Sequence, residues 1–255
     1  MNKPANFSTI GFHLLQEQLI WTFWFIGIVL LVNIVRTVLV SLDIGIEADY
    51  FYGGVFIASN IYMLIIGIIS IYFLPYFVEN GVTRKNYFYG NVIASVCLSI
   101  LIPVFAYVIT IFEKAIFPNL RTIDFGPVVD HDGNIIGDLI QSIILAPYVN
   151  VETDPLLSMI VFSINIFGFY IIGWLISATF YRLGVIPGLL MIFLGIIFFA
   201  FKDSMVRIAF DLPIFEHYSI FTVVPKNMAL LLVFAGMLLV LSLIRLLTKR
   251  APIKI

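Results

Sequence analysis

Few charged side chains in this sequence stand close enough together to act as a group. The best-formed set is Glu79, Arg84 and Lys85, in the polar island that runs from Pro75 to Gly90. One acid and two adjacent bases, with Gly81, Val82, Thr83 and Tyr87-Phe88-Tyr89 around them, make a surface that another protein can grip. Asn80 or Thr83 can cap a short helix there, with Arg84 and Lys85 toward its exit. Arg84 and Lys85 also have a plainer reading as orientation determinants, because Lys and Arg collect in short inner loops of membrane proteins.

Other chemistries lack their residues. His13, His131 and His217 lie in three separate segments, and the single Cys97 cannot complete a zinc site or form a disulfide within the chain. Asp130-His131-Asp132-Gly133-Asn134 departs from calcium-loop spacing and reads as a hairpin turn at Asp132-Gly133. There is no G-x-x-x-x-G-K-[ST] phosphate loop and no G-x-S-x-G elbow.

The elements that hold these residues are set by composition. The chain has 255 residues, 62% apolar and 11% charged, with a mean hydropathy of +1.09. A soluble domain carries about 25% charged residues, so the solvent for this surface is lipid. A net charge of -1 gives no electrostatic footprint for nucleic acid. The expected fold is an all-α membrane protein with six transmembrane helices, forming a single domain over 1–255. The spans are expected at 19–41, 54–77, 91–112, 156–180, 185–201 and 224–247, each near the ~20 residues that cross ~30 Å of hydrocarbon.

An amphipathic interfacial helix is expected at 5–18, where Phe7, Ile10, Leu14 and Leu15 recur at helical spacing. With both termini inside, the inner face collects Lys3, Arg84, Lys85, Arg182, Arg245, Lys249, Arg250 and Lys254, opposed only by Glu17 and Glu79. That places the 78–90 island in the cytoplasm. Residues 113–155 form an outer insertion, with a hairpin at 128–136 and an amphipathic helix at 138–149. Residues 202–223 are too polar to span and too apolar for an ordinary loop, and are expected to dip into the outer leaflet as half-helices broken near Pro213.

The spans so placed contain no acid. Arg36 is the base set inside a span, near the outer end of the first and able to snorkel to the headgroups; Lys226 opens the last span, whose inner end holds Arg245 of the inner-face set. Asn33, Asn60 and Asn165 are placed to hydrogen-bond between helices; Arg36, Asn60 and Asn165 are also the candidates for a substrate pathway. An ion-driven transporter needs buried carboxylates or unwound helices. Any transport by this chain therefore draws its energy from elsewhere, most economically from a separate ATPase on the inner face.

Glu79 to Gly90 resembles the cytoplasmic turn after the second span of bacterial ATP-binding-cassette exporter permeases of the type-2 class. The layout of interfacial helix, six spans and broken outer segment is similar. The resemblance implies a permease in the bacterial plasma membrane that pairs with an identical or sibling permease and binds two ATPase subunits. ATP and magnesium would be held by those subunits, with no cofactor in this chain. It also implies that Glu79, Gly81, Val82, Thr83, Arg84 and Lys85 belong to a coupling helix seated on the ATPase. Peptides, antimicrobial agents and lipids are among the substrates it implies. The other readings of the sequence are a non-catalytic membrane partner or sensor, and an intramembrane enzyme.

Overall fold

The computed structural model describes residues 6–42, 50–117, 135–144 and 147–252. Its helices are α1 (Phe7–Ser41), α2 (Phe51–Glu79), α3 (Arg84–Ile116), α4 (Ile135–Ile144), α5 (Pro155–Leu183), α6 (Val185–Ala209) and α7 (Lys226–Lys249), with a 3-10 helix at Glu216–Val223. All but α4 and the 3-10 helix are long and apolar enough to cross a membrane, which makes the chain an all-helical, multi-pass membrane protein. Among the described residues there is no strand. The hairpin expected at 128–136 lies largely outside the described residues, and Asp138 to Ile144 belong to α4.

The six long helices alternate in direction. One end of the bundle carries the Asn80–Thr83 and Gly184 turns, the start of α1 and the end of α7. This is the turn end. The other, the loop end, carries α4 and the 3-10 helix.

α5 is the central helix. In the most apolar stretch of each helix, 72% of the α5 residues are buried but only 17% of those in α1. The exposed Trp24, Ile28, Leu31 and Val35 of α1 face outward, as a lipid-facing surface requires.

Small residues set the closest crossings, since lipid-embedded helices gain by backbone approach rather than by the hydrophobic effect. α2 packs mainly on α5, and α1 on α3. A methyl group on Gly67 would run into the Tyr170 carbonyl, and one on Gly173 into the Leu64 carbonyl. At the α1–α3 crossing, a methyl on Gly90 would lie 2.9 Å from the Gly11 nitrogen, and one on Gly11 3.1 Å from the Gly90 oxygen.

Three expectations change. The stretch 5–18 is not a separate helix: from Phe7 it is the first part of α1, whose 35 residues reach about 52 Å at 1.5 Å per residue. No breaker separates it from the span, and Ile10, Leu14 and Gln18 are buried. Residues 78–90 form no separate coupling helix either. α2 ends in a Schellman motif, with Gly81 at φ 81°, Val82 N–H donating to Phe77 O at 2.9 Å and Gly81 N–H donating to Val78 O at 3.0 Å. Thr83 then caps α3 directly, its hydroxyl accepting from Asn86 N–H at 3.1 Å. Gly90, the end of the polar island, sits inside α3 against Gly11.

The third change is at 202–223. Residues 202–209 continue α6, and the break comes at Asp211, with φ 57°. Residues 202–208 are buried on every side of the helix, so these charges are enclosed by the bundle and do not end it.

Gly67→Ala and Gly173→Ala should each cost about 1–3 kcal/mol of stability, the usual range for overpacking. Gly54, with nothing within 4 Å of an added methyl, should accept alanine with no loss and a gain of up to ~1 kcal/mol. Thermal melts of the three variants in one detergent, followed by circular dichroism, separate the cases; equal shifts would remove the α2–α5 crossing from this account.

Candidate functional site

The polar island of the sequence becomes a rigid turn. Val82 is buried, Lys85 is exposed and Arg84 is half-buried. The Arg84 carbonyl accepts from Arg245 Nη1 at 3.2 Å, and the Arg245 guanidinium lies 5.6 Å from the Phe88 ring centre. Arg182 Nη1 donates to the Leu246 and Leu247 carbonyls at 2.6 and 3.2 Å, where the end of α7 leaves acceptors open. Beside the turn, α1 and α2 enclose a groove of about 700 Å³, lined by Thr9, His13, Glu17, Tyr76, Asn80 and Val82.

A second polar group crosses the bundle nearer its middle. Tyr170 O–H donates to Asn91 Oδ1 at 2.9 Å, while Gln18 Nε2 donates to the Tyr170 oxygen at 3.0 Å. Ser70 Oγ lies 2.6 Å from that oxygen, and Tyr87 O–H donates to the Ser70 carbonyl. This network ties α1, α2, α3 and α5 together, as buried polar groups in lipid must.

Toward the loop end, Asn33 does bond between helices. It donates at 2.5 Å to Glu113, whose other oxygen accepts from Phe51 N–H at 2.7 Å, at the start of α2. Glu113 was expected in the outer loop, but α3 runs on to Ile116 and brings it in.

The charges that matter most are ones the sequence reading put outside the spans. Lys202, Asp203 and Arg207 are 1%, 0% and 3% exposed, so the expectation of spans free of acid is overturned. Lys202 donates to Asn165 Oδ1, and Asn165 Nδ2 donates to Asn60 Oδ1 at 2.8 Å. Two of the three pathway candidates, Asn60 and Asn165, are thus joined to a buried ammonium. The third, Arg36, is half-buried on α1, three residues beyond Asn33. The Lys202 ammonium also stands 5.6 and 5.9 Å from the Phe169 and Phe199 ring centres.

Arg207 Nε donates to Asp203 Oδ2 at 2.7 Å, an i,i+4 pair along α6. Its Nη1 donates to the Pro213 carbonyl at 2.8 Å, and its guanidinium lies 4.6 Å from the Phe215 ring centre. Asp203 Oδ1 is buried without a hydrogen-bond partner. Over this cluster sits a cap of α4 and the 3-10 helix. His217 Nδ1 lies 2.7 Å from Asp138 Oδ2, with His217 partly exposed and Asp138 buried. Burial pushes the Tyr218 phenol above its ordinary value; the hydrogen bond with Ser142 opposes this, and the charges of Asp138 and Asp203 add to it.

The spacing Asp203…Arg207 between apolar residues was the missed signal. It fits one face of a continuing helix, whereas the local count of charges argued for an exit from the membrane. Among the described residues no three of His, Cys, Asp and Glu gather as metal ligands. Comparisons with protein-family models, curated proteins and solved structures give no match.

Arg207→Met should cost about 3–5 kcal/mol, because it strands a buried carboxylate, and the double variant Asp203→Leu/Arg207→Met should recover most of that. Melts of both variants test this. A double variant as unstable as the single would show that the Pro213 and Phe215 contacts, not the ion pair, hold the site.

Proposed function

We propose that this chain is the membrane-spanning permease subunit of an ATP-driven exporter, energised by a separate ATPase that docks at the turn end. The observation that carries the reading is the stiff Glu79–Lys85 connection between two spanning helices. A Schellman motif and a threonine cap fix it, and it lies beside a groove of about 700 Å³ at a basic end of the bundle. A partner pressing on such a turn moves α2 and α3 as levers, since no flexible linker absorbs the motion. The sequence carries no phosphate-binding loop, which is what a subunit driven from outside requires.

In this reading the turn end is cytoplasmic, in a bacterial plasma membrane. The first turns of α1 lie in the inner interface, and the stretch 210–223 dips into the outer leaflet. Two copies, or this chain and a sibling, form the pathway between them, with a peptide, antimicrobial agent or lipid as substrate. Lys85 and Glu79 are the exposed contacts, Arg84 the half-buried one, and Gly81, Val82 and Thr83 hold the shape of the turn.

An ATPase of cassette size should copurify with the full-length chain from its own host. Arg84→Glu/Lys85→Glu should leave insertion intact but weaken that association by roughly 1–3 kcal/mol, about tenfold to a hundredfold in affinity. ATP turnover would then persist without transport. Undiminished transport by the double variant would overturn the docking role.

A further inference from the structure

The three charges of α6 lie in the half of the bundle away from the turn end, and the ATPase reading makes no use of them. Their arrangement is incomplete in a particular way. The Asp203 side chain is fully buried, one of its oxygens holds Arg207, and the other has no partner. In lipid an unsatisfied polar atom is costly, and intramembrane ionisable groups mark ion or proton pathways. The vacant oxygen is an acceptor, flanked by the cations of Lys202 and Arg207. A metal cation is disfavoured between two positive groups; a proton forms a covalent O–H bond and brings no coordination shell.

A series of exchangeable groups leads from this oxygen toward the loop end. Tyr218 feels the charges of both Asp203 and Asp138, and its hydroxyl bonds Ser142. Its ring meets that of Phe215 edge-on at 5.9 Å, and Phe215 in turn lies under the Arg207 guanidinium. Asp138 and Ser142 are four residues apart on one face of α4. Asp138 bonds His217, whose imidazole is partly exposed and is the side chain suited to exchanging protons with water.

The groups facing Asp203 come from each neighbouring element. α6 supplies Lys202 and Arg207 and the 3-10 helix Tyr218, while Asp138 of α4 acts on Tyr218. α5 presents Asn165 and Phe169 to Lys202, and its one charged residue, Arg182, lies at the far end. Lys226 of α7 is paired with Asp211 at the surface.

We propose that the Asp203 carboxylate is a proton-binding site, reached from the loop end through Tyr218 and the His217–Asp138 pair. Oδ1 has no partner in this arrangement, so uptake requires the Tyr218 hydroxyl to close to hydrogen-bond distance of it. Tyr218 then gives its phenolic proton to Oδ1 and regains one from the His217–Asp138 side, which takes it from hydronium in the acidified solution. The net change is one O–H bond formed on Asp203 and one positive charge gained by the cluster. Arg207 then loses Asp203 as its counterion and keeps the Pro213 carbonyl and the Phe215 ring. Proton uptake is thereby tied to the hold of α6 on the 210–215 stretch. The proposal stands whether or not an ATPase drives the chain.

The test is a rapid pH jump on the full-length protein in lipid nanodiscs, followed by infrared absorption of protonated carboxyl groups. The wild type should show a carboxyl band that appears on acidification and is missing in Asp203→Asn. In His217→Gln and Tyr218→Phe the band should reach the same amplitude but rise roughly a hundredfold more slowly, the low end of what a positioned proton-transferring side chain contributes. If Asp203→Asn fails to insert, Asp203→Glu should keep the band at a shifted frequency. A band unaltered by either Asp203 variant, no such band in the wild type, or unchanged rates in both relay variants would overturn the proposal.

Discussion

Hydrocarbon offers no hydrogen bonds, so every polar group that enters this bundle has to find its partner inside it. That constraint explains why its buried polar side chains sit where helices meet. Glu113 serves two helices at once, accepting from Asn33 of α1 and from the first amide of α2. Tyr170 does the same for three helices through Gln18, Ser70 and Asn91. The glycine crossings permit these short bonds, because only where backbones approach closely can such side chains reach across. The accounting stays open at several buried atoms, among them Gln18 Oε1, Asn91 Nδ2, Trp174 Nε1 and Asp203 Oδ1, and of these Asp203 Oδ1 belongs to a carboxylate, where a missing partner matters most.

What was legible in the sequence was whatever follows from long apolar runs. The six spans and the Thr83 cap depend on local residue types, and each is found. Helix ends were misplaced where they depend on partners distant in sequence. Glu113 lies within α3 because Asn33 and the α2 terminus receive it, some sixty to eighty residues away. Lys202, Asp203 and Arg207 stay in α6 because Asn165, Pro213 and three aromatic rings surround them. A hydropathy pattern charges each of these residues its full transfer penalty and cannot know that the penalty is offset. The same blindness applies at 78–90. A polar stretch between spans is compatible with a short helix or a capped turn, and the choice rests on a left-handed Gly81 and on Gly90 being taken up against Gly11.

The two ends of the bundle differ in the kind of control they offer. The turn end is basic and stiff, with Arg182 and Arg245 tying α5, α7 and α3 together through backbone carbonyls. Force applied to the Asn80–Thr83 turn therefore reaches several spans at once. The loop end is held by isolated contacts between side chains, such as His217 with Asp138 and Lys226 with Asp211. Contacts of that kind are partly exposed and change with protonation or salt. It is the end at which a small chemical event, rather than a docked protein, can shift the balance.

α6 is the element that joins the two. It begins at the Gly184 turn, against the ring of Phe180, and ends at the ion cluster. Arg207 is the residue on which its far end depends, since one guanidinium holds Asp203, the Pro213 carbonyl and the face of Phe215. Neutralising Asp203 removes the only one of these contacts that is a full ion pair. A helix packed on α5 cannot lose that restraint without altering how firmly the 210–215 stretch is held above it. Geometry makes this a route for coupling, which is a difference in free energy between two arrangements of the same element. On the proposal above, the element with two arrangements is the end of α6 from Lys202 to Ala209, with Arg207 paired to a charged Asp203 in one and facing a neutral Asp203 in the other.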